Sequence, residues 1–233
     1  MKILKMKSIS VVAAATMLVA CGGAETGGGT AGVGSEPFIN ASPDLTAAEV
    51  NGFRSRHGSI GRSSPNWPYV FLPPAGTATY AGAFVFDDVT INGDNSGDGG
   101  RHGLAGRARF EVDFRDRNGF EGTFFGVNRM EGGEPVERLD GTLSASAVNS
   151  RTGSQTFSSG QIDGQLSGGF GTTERQVVDL DLTFTGSARR PNSTPILAGP
   201  DQNLRYVYSD DVAGSGVGGV DVEIQNGRFY GER

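Results

Sequence analysis

Few residues of this chain have side chains suited to catalysis, and each has a plainer reading beside the chemical one. Histidine occurs only at His57 and His102, so a catalytic base or a haem ligand must be one of these two. They sit in Arg54-Ser55-Arg56-His57-Gly58 and Gly99-Gly100-Arg101-His102-Gly103, compositions that predict exposed loops. No Gly-x-Ser-x-Gly elbow marks a nucleophile. Asp87-Asp88 and Asp210-Asp211 supply the carboxylates that glycoside chemistry uses, yet neighbours along a strand point to opposite faces, so neither pair predicts a shared site. Asp94, Ser96 and Asp98 alternate as the oxygen donors of a calcium loop do, with a glycine for the turn. The position of the closing bidentate Glu is Ala105, and a solvated hairpin of turn residues accounts for the same letters. Arg101, Arg107, Arg109, Arg115 and Arg117 form a cationic cluster suited to an acidic partner, but the interleaved Glu111, Asp113 and Asp116 predict cross-strand ion pairs. The expectation is a protein that is not an enzyme, holds no metal and needs no cofactor, with no identifiable ligand-contact residue.

The elements that carry these residues follow from composition. Glycine and proline supply 38 and 10 of the 233 residues, short of the ~25–30% that marks a low-complexity chain. One cysteine and two histidines exclude an internal disulfide and a four-ligand Cys/His zinc site. No stretch reaches the ~20 apolar residues of a membrane-spanning helix.

The N-terminus is the most specific signal. Lys2, Lys5 and Lys7 precede the apolar run Ser8 to Ala20, which together read as a secretory signal peptide over residues 1–20. Leu18-Val19-Ala20-Cys21 resembles a bacterial lipobox, which implies cleavage before Cys21, a diacylglyceryl group on its sulfur and a palmitate-bearing lipoprotein. More than one acyl chain gives a stable membrane anchor. All three lysines lie in the signal peptide, so the processed chain carries 17 Arg against 26 Asp and Glu, a net −9. Such an acidic chain predicts no nucleic-acid partner.

Residues 21–36, rich in Gly, Thr and Ser, read as a disordered tether. Residues 37–75 read as irregular, with a short helix over Asp44 to Phe53 capped by Asp44 or Thr46. Trp67 to Pro74 is apolar but too proline-rich for a central strand, and reads as a plug at one end of a domain in preference to an exposed recognition loop.

Over residues 76–233 the period becomes two. Eight segments carry an apolar or glycine phase: 78–86, 104–114, 120–126, 139–145, 162–170, 178–186, 204–208 and 220–224. Asn118-Gly119 and Asn226-Gly227 read as hairpin turns. Glycine recurs in the apolar phase, where it suits bending strands and a crowded interior, and closure removes exposed edges. The fold expected is all-β, a single antiparallel eight-stranded barrel.

Four stretches carry a family resemblance: Gly76-Thr77-Ala78-Thr79-Tyr80-Ala81-Gly82, Ala108-Arg109-Phe110-Glu111-Val112-Asp113-Phe114, Gly160-Gln161-Ile162-Asp163-Gly164-Gln165-Leu166-Ser167-Gly168 and Gly227-Arg228-Phe229-Tyr230-Gly231. With the lipobox and tether, residues 76–233 resemble the β-barrel domain of transferrin-binding protein B-like surface lipoproteins. The resemblance implies a lipid-anchored barrel on the cell surface of the outer membrane, whose loops bind a host iron protein or a haem-type ligand. Two other readings stand beside it: a periplasm-facing structural or assembly lipoprotein without a ligand, and an integral outer-membrane barrel with the apolar phase toward lipid.

Overall fold

The computed structural model describes residues 41–62, 76–94, 96–97, 100–116, 119–149, 156–189 and 204–233. The expected signal peptide, Cys21, the expected tether and the Trp67–Pro74 stretch lie outside the described residues. Among the described residues one helix, α1 (Ala47–Gly61), is followed by ten strands: β1 (Thr77–Ile91), β2 (Ser96–Gly97), β3 (Gly100–Asp113), β4 (Phe120–Glu131), β5 (Glu134–Arg138), β6 (Asp140–Asn149), β7 (Thr156–Gly168), β8 (Gln176–Arg189), β9 (Tyr206–Gly218) and β10 (Val222–Glu232).

The strands pair antiparallel in the order β3-β1-β10-β9-β8-β7-β6-β4, and β4 returns to β3. The eight-stranded barrel expected from the alternation is therefore closed. The short β2 pairs only with β3, and β5 only with β4 among the strands. Each of the eight predicted segments overlaps one barrel strand.

The inward phase fills the barrel. Phe84, Phe86, Phe110, Phe120, Phe124, Phe157, Phe184 and Phe229 are all 3% exposed or less. Their rings meet tilted or edge to face, as in Phe84–Phe124 at 5.2 Å and Phe184–Phe229 at 5.1 Å. Glycine makes room for them. A Cβ on Gly106 would lie 2.5 Å from the Phe84 ring, and one on Gly160 2.5 Å from the Phe184 ring. These glycines are the floor on which neighbouring rings lie. The outward phase is polar, with Arg109, Glu111, Glu121, Asp163, Asp179 and Asp181 all exposed.

Three strand boundaries differ from the sequence reading. Asn226-Gly227 is not a turn but lies inside β10, where the register shifts against β9 between Ile224 and Phe229. Asn226 takes a left-handed φ of 53°, and Gly227 leaves space that Phe86 and Val212 occupy. The turn into β10 is made instead at residues 219–221. β9 runs ten residues past Tyr208, because glycine at 214 and 216 holds the inward phase and hides the alternation. β4 passes Gly126, a bulge with φ 58°, and its inward phase shifts to Val127, Arg129 and Glu131. Between β3 and β4, the backbone of Asp113 bonds back to Gly119 at 2.6 Å, which closes the expected hairpin.

The helix extends well past the expected Phe53. Thr46 is its N-cap, in a reciprocal capping box with Glu49. Asp44, the other candidate, instead receives Asn128 Nδ2 at 2.6 Å. The last two turns form because His57 and Ile60 continue the buried face that Val50 begins, with Phe53 partly buried between them. α1 lies on the outside of the barrel, over Ala83 and Val85 of β1, Ala105 of β3, Met130 of β4, Tyr208 of β9 and Tyr230 of β10.

Candidate functional site

The described residues concentrate polar side chains in two places, one inside the barrel end and one beneath α1. At the barrel end, β4 has changed phase at Gly126, so Arg129 stands opposite the interior residue Leu104 and Glu131 opposite His102. Arg129 Nε donates to Glu137 Oε2 at 2.9 Å, and its guanidinium also pairs closely with Glu131. Glu137, on β5, is fully buried and takes a second bond from the Gly169 N–H in the β7–β8 turn. The Arg129–Glu137 pair thus ties β4, β5 and the β7–β8 turn together at the mouth. Such a pair costs desolvation that only good geometry and full hydrogen bonding offset. With both carboxylates engaged, this cluster closes the barrel end rather than offering a free acid or base.

His102 belongs to the same end. The sequence reading places it in an exposed loop; it is in fact on β3, 8% exposed, paired in register with Val89 and Glu131. The strand begins before it because Gly100 and Arg101 already pair with β2. Its Nδ1 has no hydrogen-bond partner among the described residues.

His57 is likewise no loop residue. It lies on the buried face of α1, 5% exposed, its ring stacked on Tyr208 at 4.3 Å and its Nε2 2.8 Å from the Ser209 carbonyl. Gly-, Ser- and Arg-rich surroundings concealed the helical spacing that buries it. Burial pushes its imidazole below the usual value, helped by Arg228 and Arg189 and opposed by the Ser209 carbonyl and Asp210. On the other side of Tyr208, the Arg189 guanidinium lies 3.8 Å from the ring centroid and donates to the Gly61 carbonyl at 3.0 Å, capping the end of α1. Burial, and then Asp210, push the Tyr208 phenol up to about 12. Asp87 joins Arg54 of α1 to Arg228 of β10, and Glu232 holds Arg56.

The remaining candidates do not converge. Asp87 meets those two arginines, whereas Asp88 receives Asn226 Nδ2 at 3.3 Å. Asp210 accepts from the Tyr208 hydroxyl and Asp211 from Thr185. Asp94 closes a tight turn by exchanging backbone bonds with Ile91, and Ser96 belongs to β2. Asp98 lies outside the described residues. Among the described residues, no three His, Cys, Asp or Glu side chains gather as a metal site would require. The arginine cluster also differs from expectation: Arg107 pairs with Glu49 of α1 at 3.4 Å, not with a cross-strand carboxylate, because the helix lies over that part of β3. Arg115 pairs with Asp113 of its own turn.

Comparison with known proteins gives no match to a family model, to a curated protein or to a solved structure.

Proposed function

We propose that the chain is a non-enzymatic, lipid-anchored outer-membrane lipoprotein, displayed at the cell surface, whose barrel loops bind a ligand of the host iron-protein or haem-protein class. The observation that carries this reading is the pairing of a Cys21 lipobox with a closed barrel whose apolar phase is turned inward and whose charged phase faces out. A membrane-spanning barrel needs the reverse arrangement, so the outward Arg109, Glu111, Asp163 and Asp181 favour a barrel that stands in water beside its anchor. The ligand class rests on the resemblance to transferrin-binding protein B-like lipoproteins, and contact residues are not assigned.

The test is direct binding. The full-length protein in detergent, immobilised through its barrel, is exposed in turn to iron-loaded transferrin, haemoglobin and free haem. Saturable binding of one of them, also seen on intact cells and absent from cells lacking the protein, supports the proposal. Absence of binding to all three, on protein shown by circular dichroism to be folded, removes the iron-ligand class and leaves the periplasm-facing assembly lipoprotein as the better reading.

A further inference from the structure

We propose that α1 is a releasable strap on the outside of the barrel, and that protonation of His57 below neutral pH lets it go. The barrel does not need the helix to close, since every barrel strand has both ring neighbours. The apolar seam of α1 consists of two small clusters separate from the interior core, and ion pairs at Arg54, Arg56 and Glu49 flank it. Leu45, Val50, Val85, Ala105 and Met130 form one; Ile60, Ala83, Tyr208 and Tyr230 form the other. Phe53 packs against both. Losing these contacts leaves the phenylalanine core intact.

His57 sits inside the second seam. Its Nε2–H donates to the Ser209 carbonyl, so the acid form takes its extra proton on Nδ1. The charged and titratable groups around it come from every neighbouring element: Arg54 and Arg56 of α1, Asp87 of β1, Arg189 of β8, Tyr208 and Asp210 of β9, and Arg228, Tyr230 and Glu232 of β10. At the imidazole itself Arg228 and Arg189 oppose a further proton and Asp210 alone among these carboxylates favours one, so the charges add to burial in resisting protonation. In the released helix, the imidazole regains water and its ordinary value of 6.5; in the docked helix, burial holds it lower. Docking therefore has full strength above about pH 6.5, and weakens as pH falls from there toward the depressed docked value, by at most about tenfold per pH unit.

The experiment is hydrogen exchange by mass spectrometry on the full-length protein in detergent between pH 7.5 and 5.0. Protection is expressed against intrinsic rates at each pH, and residues 47–61 are compared with β7 and β8. The expected result is a selective loss of α1 protection, up to tenfold per pH unit below about 6.5, while β7 and β8 hold. In His57→Gln, which keeps a donor for Ser209 without titrating, and in His57→Phe, which keeps the stack, α1 protection should be flat over the same range. Equal loss in wild type and both variants overturns the proposal, as does a parallel loss in α1 and the barrel. If neither variant folds, an NMR titration of the wild-type histidines decides: a His57 value at or above 6.5 overturns it.

Discussion

Replacing Arg129 by Leu should cost the barrel far more than an average core change. The guanidinium is the main partner of Glu137, which is fully buried and, among the described residues, otherwise accepts the Gly169 N–H. Without it, a carboxylate stays in the barrel end with half its bonding gone. Breaking a buried pair in this way costs about 3–5 kcal/mol, whereas removing both partners is often neutral or stabilising. Glu131 adds little, since its side chain is 23% exposed and can turn to water. At about 2–4 °C per kcal/mol for a domain of this size, Arg129→Leu should lower Tm by roughly 6–20 °C. The double change Arg129→Leu with Glu137→Leu should return most of that loss. Urea unfolding measures both, with an unchanged slope showing that the same surface unfolds. A single-variant cost below about 1 kcal/mol, or a double variant no better than the single, would refute the view that the pair is locked by desolvation.

Other expectations follow from the same geometry. Gly160→Ala should destabilise by about 1–3 kcal/mol, because its Cβ would meet the Phe184 ring; Gly58→Ala, where a Cβ meets nothing within 4 Å, should stabilise by about 0.5–1 kcal/mol. Thermal melts of the two variants should therefore shift in opposite directions. Thr46→Ala removes the capping box and should cost about 1 kcal/mol, read as faster exchange in the first turn of α1 with barrel exchange unchanged. The Tyr208 phenol, raised to about 12, should ionise after ordinary tyrosines, and stability should decline as pH rises above 10, where the unfolded chain releases that proton first. Absorbance titration of wild type and Tyr208→Phe checks this; loss of a transition near pH 10 in the variant would contradict it.

The barrel was legible because alternation survives wherever large residues mark the inward phase, as at Phe84 and Phe86 or Leu180 and Leu182. It blurred where glycine and bulges carry that phase. Gly214 and Gly216 hid the second half of β9, and the Gly126 bulge hid the inward turn of Arg129, which no local spacing announces. Asn226-Gly227 carries the letters of a hairpin turn, yet strand pairing on both sides turns it into a bulge. The histidines misled for a related reason. His57 and His102 lie among small and charged residues that suggest loops, while burial is decided by distant partners: Tyr208 and Ser209 for one, Val89 and Glu131 for the other. The Thr46 cap was legible because a capping box is local.

Protease accessibility on intact cells, for wild type and Cys21→Ser, tests the central claim most directly. A surface-anchored barrel predicts that external protease removes the wild-type domain, and that the variant leaves no cell-bound domain to cleave. Cleavage of the wild type only after the outer membrane is opened would contradict surface display.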